Sequence, residues 1–186
     1  MDNKKQLLFI VGSLRKASFN RQLAEEVKAL LAEQAEVRYL DYHEIPYLNQ
    51  DDEFPAPAQI VRVRKEVEQA DALWIFTPEY NYNIPGVLKN LLDWLSRSLI
   101  AGDPERKSSV TGKAVTISGA GGKNATQSVR KQLDALLPFM GMRLMKDGET
   151  GVAVSPEGFA TNNLTLSETD RANLQAQAEA FLHFIG

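Results

Sequence analysis

Two five-residue runs in this chain, Leu7-Leu8-Phe9-Ile10-Val11 and Ala72-Leu73-Trp74-Ile75-Phe76, contain no polar residue. A strand with one face in water alternates polar and apolar side chains, so an unbroken apolar run of strand length has both faces covered. That condition is met almost only where a parallel sheet lies between two helical layers. Both runs stop abruptly, the first at Gly12-Ser13 and the second at Thr77-Pro78, where proline cannot donate to a ladder.

The segments between the strands supply the helices such a sheet needs. Over residues 19–33 the apolar side chains Leu23, Ala24, Val27, Leu30 and Leu31 recur at helical spacing with charge on the opposite face. A short second strand is expected over 37–40 and a second helix over 58–69. Pro85 suits the first position of a third helix, whose stripe of Val87, Leu88, Leu91, Leu92, Leu95 and Leu99 carries Trp94 at its edge. Residues 114–117 read as a fourth strand, 124–137 as a fourth helix and 143–145 as the core of a fifth strand, with Ser167 capping a last helix. Five alternations of this kind predict an α/β chain: a doubly wound, five-stranded parallel sheet with helices on both faces, in one domain over 1–186. Residues 41–57, 101–111 and 149–163 lack periodicity and are read as long loops.

Composition narrows the chemistry. The chain has no cysteine, which excludes disulfides, thiolate zinc sites, iron–sulfur clusters and a cysteine nucleophile, so any redox group must be bound. Twenty-four acidic against 21 basic residues give a net charge of −3, too balanced to favour nucleic acid or an anionic membrane as partner. The N-terminal apolar run is shorter than a signal-peptide core, and no stretch approaches the roughly 18 apolar residues of a spanning helix. A cytoplasmic protein acting on small molecules is expected. His43 and His183 are the only histidines and have no companion ligands, which points to structural or solvated roles.

In such sheets ligands bind beyond the carboxyl ends of the strands, where strand order reverses. The first loop, Gly12-Ser13-Leu14-Arg15-Lys16-Ala17-Ser18-Phe19-Asn20, has the donors a phosphate monoester needs: two hydroxyls, an amide, backbone N–H groups, a helix start and the forked charge of Arg15. It contains neither G-x-G-x-x-G for a pyrophosphate nor G-K-[ST] for a triphosphate. The second loop, Thr77 to Gly86, holds Tyr80 and Tyr82 between two prolines, a surface on which a planar heteroaromatic could lie. The third, Ser118-Gly119-Ala120-Gly121-Gly122-Lys123-Asn124, lets backbone approach a ligand closely. Taken singly, each has an ordinary explanation: Ser18 as a helix cap with Arg15 solvated, a proline-rich turn with packed aromatics, a flexible connection. Together they outline a flavin mononucleotide site.

The stretch G-S-L-R-K-A-S-F-N-R from Gly12, the stretch T-P-E-Y-N-Y-N-I-P-G-V-L-K-N-L-L-D-W-L-S-R from Thr77 and the glycine-rich third loop closely resemble the NAD(P)H-dependent FMN reductase family, which includes quinone, azo-dye and chromate reductases. The resemblance runs from residue 6 to about 140. It implies a flavodoxin-like fold, FMN as cofactor, NADPH or NADH as donor and a small-molecule acceptor reached by a ping-pong cycle. It also implies that Ser13, Arg15, Ser18 and Asn20 hold the phosphate with Phe19 beside them, that Pro78, Glu79, Tyr80 and Asn81 line the ring, and that Ser118, Gly119, Ala120, Gly121 and Gly122 flank it. No protein acid or base is required, because hydride transfer to the flavin depends on stacking and alignment. A homodimer or homotetramer is expected, with the third helix and Trp94 at a subunit contact. Two departures stand out: residues 100–111 are longer than the usual link, and the tail beyond Glu149 matches the family pattern poorly. The competing readings are a flavodoxin-type electron carrier and an FMN-binding regulatory module with little turnover. A nucleotide hydrolase is disfavoured, since no acid, base or metal constellation accompanies the phosphate loop.

Overall fold

The structure is a computed structural model and describes residues 4–186. Strands β1 (Lys5–Val11), β2 (Ala35–Tyr39), β3 (Ala72–Phe76), β4 (Ala114–Gly121) and β5 (Arg143–Leu144) pair in parallel in the order β2-β1-β3-β4-β5. That is the flavodoxin-like order. Helices α1 (Phe19–Leu31), α2 (Ala58–Gln69), α3 (Gly86–Leu95), α4 (Gln127–Phe139), α5 (Pro156–Thr161) and α6 (Glu168–Ile185) complete the chain.

The apolar runs behave as their composition demands. Along β1, Leu8 and Ile10 point into a core with Val63, Leu88, Leu91 and Leu133, on the side of α2, α3 and α4. Leu7 and Phe9 point into a second core with Leu23, Val27, Leu174 and Phe181, on the side of α1 and α6. In β3, Leu73 and Ile75 join the first core and Trp74 and Phe76 the second, where their rings stack at 5.5 Å between centroids.

Four expectations need correction. The sheet has six strands: β5 stops after two residues, and a sixth strand, β6 (Thr150–Ala153), pairs in parallel with the remainder of β4. Residues 149–163 are therefore no loop. They contain β6 and α5, a six-residue helix that Ser155 caps by accepting from Gly158 N at 3.0 Å. The third helix begins at Gly86, with Pro85 as its cap, and ends at Leu95, so Leu99 lies outside it. Finally, Trp94 is 1% exposed and donates from Nε1 to the Pro46 carbonyl at 2.8 Å, so it belongs to the chain's own core and offers nothing to a subunit contact.

The break between β5 and β6 leaves the middle of β4 paired with β3 alone, and on the open edge a single side chain fills the gap. Gln177 of α6, fully buried, donates from Nε2 to Thr116 Oγ1 and Ile117 O, both at 2.9 Å. Its Oε1 accepts from the Ser118 hydroxyl at 2.9 Å and from Thr150 N at 3.0 Å. Beside the same break, Glu149 and Asp134 each leave one buried carboxylate oxygen without a partner among the described residues, and Arg130 lies 3.7 Å from Glu149. Burial and the neighbouring Asp134 carboxylate push the Glu149 carboxyl up to about 8, against the opposing pull of Arg130 and Lys146. A proton on Glu149 gives the carboxyl pair the donor it lacks.

A carboxyl raised in the folded state stabilises fully below its ordinary range, and that stabilisation is lost as pH rises through the folded value. Urea denaturation is therefore expected to show stability falling by on the order of a few kcal/mol between about pH 5 and about pH 8, and Glu149→Gln to flatten the profile. A fall of equal size in that variant would place the titration elsewhere.

Candidate functional site

β1 leads into α1 on one face of the sheet, whereas β3 leads into α3 on the other, so the loops leaving their carboxyl ends diverge. A cavity of about 350 Å³ lies at this point of divergence. The first loop contributes Ser13, Arg15, Ser18, Phe19 and Asn20; the second Pro78, Glu79 and Tyr80; the third Ala120, Gly121 and Gly122. Phe159 of α5 completes the lining. A larger cleft of about 950 Å³ lies away from these loops, among α3, α4 and residues 98–108.

The first loop presents the donors expected of it. Ser18 caps α1 by accepting from Arg21 N at 3.3 Å, which leaves its hydroxyl hydrogen free to donate. Arg15 lies over the Phe19 ring at 4.8 Å, donating to Asn162 Oδ1 at 3.0 Å and to the Ala17 carbonyl. Asn20 has a second task. Its Nδ2 donates to Ala120 O at 2.9 Å and its Oδ1 accepts from Ala120 N at 2.8 Å, in a setting 2% exposed. One N–H and one lone pair of its amide thus lock the first loop to the third, and the second Nδ2 hydrogen makes no bond among the described residues.

Three expected residues do not line the cavity. Ser118 faces the core, fully buried, accepting from Trp74 Nε1 at 3.0 Å and donating to Gln177. Gly119 faces Thr77 and Thr126 so closely that a Cβ there would stand 2.6 Å from the Thr77 carbonyl oxygen. Asn81 and Tyr82, at φ 53 and 60, form the tip of a two-residue turn closed by paired bonds between Tyr80 and Asn83. Tyr80 remains half exposed at the cavity mouth.

Glu79 has a task the sequence did not announce. Its Oε2 accepts from Val129 N at 3.0 Å and its Oε1 from Asn124 Nδ2, so it caps α4 from another loop. The local cap, Thr126, is left-handed and makes no side-chain bond to the helix. Glu79→Ala is expected to lower stability by about 1 kcal/mol, the usual worth of a cap, and a melting temperature unchanged from the parent would count against this role.

Phe159 and Asn162 carry no signal in the sequence, because α5 has only six residues, too few to show a periodicity. The cap signal of Ser155-Pro156 was the one available cue. Among the described residues no group of three or more His, Cys, Asp or Glu could hold a metal ion. His43 is exposed and lies 2.5 Å from Asp41, which raises its pKa. No helix of the described residues is long and apolar enough to cross a membrane.

Residues 6–157 match the family model described as NADPH-dependent FMN reductase. The chain belongs to that family. It is similar to an NAD(P)H-dependent FMN reductase of Pseudomonas aeruginosa, 32% identical over 182 residues, covering 97% of this chain and 95% of the relative. It is also similar to a 2-hydroxy-1,4-benzoquinone reductase of a Burkholderia species, 30% identical over 181 residues, covering 97% and 96%. Among solved structures it resembles FerB, a flavoenzyme NAD(P)H:(acceptor) oxidoreductase of Paracoccus denitrificans, with a TM-score of 0.84 at 28% identity over 97% of each chain. This FMN reductase is accordingly an oxidoreductase whose cofactor is FMN and whose donor is NAD(P)H.

The residues present fit that cofactor. Hydroxyls, a guanidinium and a helix start suit a phosphate monoester, and Gly122, with nothing within 4 Å of where its Cβ would stand, leaves room for a close ligand.

Proposed function

We propose that FMN lies in the 350 Å³ cavity, with its phosphate in the first loop and its ring between residues 78–80 and 120–122, and that this reductase passes electrons from NAD(P)H to small acceptors: quinones, free flavin, azo compounds or oxidised metal ions. The observation that carries this is the convergence of phosphate donors and a glycine-backed wall at the divergence of β1 and β3. The bound flavin supplies hydride acceptance and electron transfer. The protein's part is to hold and align. Ser13, Ser18 and Arg15 fix the phosphate, and Asn20 keeps the first and third loops in register. Pro78 and Tyr80 restrict the ring and orient whatever stacks on its open side.

A quinone is the favoured acceptor, supported by the similarity to a benzoquinone reductase. One cavity mouth serves donor and acceptor in turn, which gives ping-pong kinetics; initial rates at varied NADPH and quinone are expected as parallel double-reciprocal lines, and intersecting lines would overturn this order. For the site itself, Gly122→Val is expected to fold normally, since no neighbour opposes it, while weakening FMN binding at least about tenfold. Unaltered FMN affinity would move the cofactor elsewhere.

The reading extends to a cytoplasmic homodimer or homotetramer folded as one domain. Phe139, 89% exposed, and Ile100, 68% exposed, line the larger cleft beside α3 and α4 and support a subunit contact there rather than at Trp94. Scattering mass at low concentration decides it, and a monomer would refute it.

A further inference from the structure

The segment between β6 and α6 extends beyond residue 157, where the family match ends, yet it forms one side of the cavity. Three side chains dock it on the first loop and α1. The Phe159 ring meets Phe19 edge to face, 5.4 Å between centroids. Gln22 of α1 donates to Asn162 O at 2.9 Å and accepts from Leu164 N at 2.8 Å. Asn162, left-handed at φ 60 as the cap of α5, accepts from Arg15 NH1 at 3.0 Å through its side chain. Docked in this way, Phe159 still leaves half its surface exposed, and it is on the cavity side, next to the serines and the arginine.

A half-exposed aromatic ring beside a cluster of phosphate donors has a physical use. Charged hydrogen bonds gain strength where water and salt are kept from them. The Arg15 fork has five N–H donors, of which Asn162 and Ala17 occupy two groups' worth of direction while leaving others for a ligand. A guanidinium already held in place gives up less rotamer freedom when a phosphate arrives.

We propose that residues 155–164 form a cofactor-retaining wall, in which Phe159 shields the phosphate end of FMN and Asn162 holds Arg15 in its phosphate-binding orientation. This rests on the placement of FMN in this cavity. Both are positioning residues and take no part in the electron transfer itself.

The test measures FMN and riboflavin affinities by flavin fluorescence, with FMN release rates, at low and high salt. Phe159→Ala is expected to release FMN about tenfold faster and to make its affinity strongly salt-dependent, with the melting temperature close to that of the parent. Phe159→Leu, which keeps apolar volume, is expected to recover part of the loss and guards against a folding defect in the alanine variant. Asn162→Gly, which preserves the left-handed backbone, is expected to weaken FMN several-fold and leave riboflavin unaffected, because riboflavin has no phosphate for Arg15 to grip. Unchanged release and salt response in Phe159→Ala, with FMN bound normally by the parent, overturns the wall alone. Equal losses for FMN and riboflavin in Asn162→Gly, or tighter FMN binding, overturns the holding role. Failure of the parent chain to bind FMN overturns the site placement and the wall with it.

Discussion

Gln177→Leu is expected to lower the stability of this FMN reductase by about 3–5 kcal/mol, because each buried polar group left unpaired costs about 1–3 kcal/mol. The variant strands Thr150 N and Ile117 O, which Gln177 satisfies from a fully buried position, and takes one partner each from the hydroxyls of Thr116 and Ser118, which keep Met145 O and Trp74 Nε1. No water can reach them without opening the contact between α6 and the sheet. The effect reaches the site as well, since Ser118 leads directly into the third loop. Urea denaturation of the variant measures the loss, and a change below about 1 kcal/mol would show that the network is dispensable.

Gly119→Ala is expected to damage both fold and cofactor binding. An added Cβ would stand 2.2 Å from Thr126 Oγ1 and 2.6 Å from the Thr77 carbonyl oxygen. Thr126 cannot simply swing aside: it is fully buried, left-handed at φ 61, and its hydroxyl donates to Ala125 O at 2.6 Å. The backbone after β3 must therefore move away from β4. Overpacking of this kind costs about 1–3 kcal/mol, and the displacement falls on both loops that flank the ring site, so FMN affinity is expected to drop at least about tenfold. Gly122→Ala is the control, with open space around the new methyl group and a melting temperature expected to match the parent. An alanine at 119 that melts with the parent and binds FMN equally well would refute the close approach.

The contrast between these two glycines shows what the sequence could and could not disclose. G-A-G-G after an apolar strand indicates that backbone comes close to something, but which glycine meets protein and which meets ligand depends on how β3 and β4 are aligned. The strands themselves were legible because β1 and β3 carry five consecutive apolar residues, and both faces of each are indeed buried. β6 was not legible: Thr-Gly-Val-Ala is four residues long, and its first N–H is met by a glutamine supplied by α6. Asn20 illustrates the same limit within the site. Its place in a phosphate-type loop suggests a ligand donor but says nothing of the second task, the bonds to a partner 100 residues away that hold both ends of its amide. Glu79 was placed in the right loop, but its role as the cap of α4 could not be read from a helix whose own first residues carry the usual capping types.

The interrupted fifth position of the sheet also bears on how the protein behaves when crowded. A long, unbroken border of unpaired peptide groups invites strands of other molecules to add on, the route to fibrils and precipitates. Here that border is divided into a two-residue and a four-residue piece, too short to template such growth. At the opposite border, β2 places Glu36 and Arg38 among its five residues, charges that an incoming strand would have to bury. The same break that required Gln177 thus guards one side of the sheet against strand addition, and the charges of β2 guard the other.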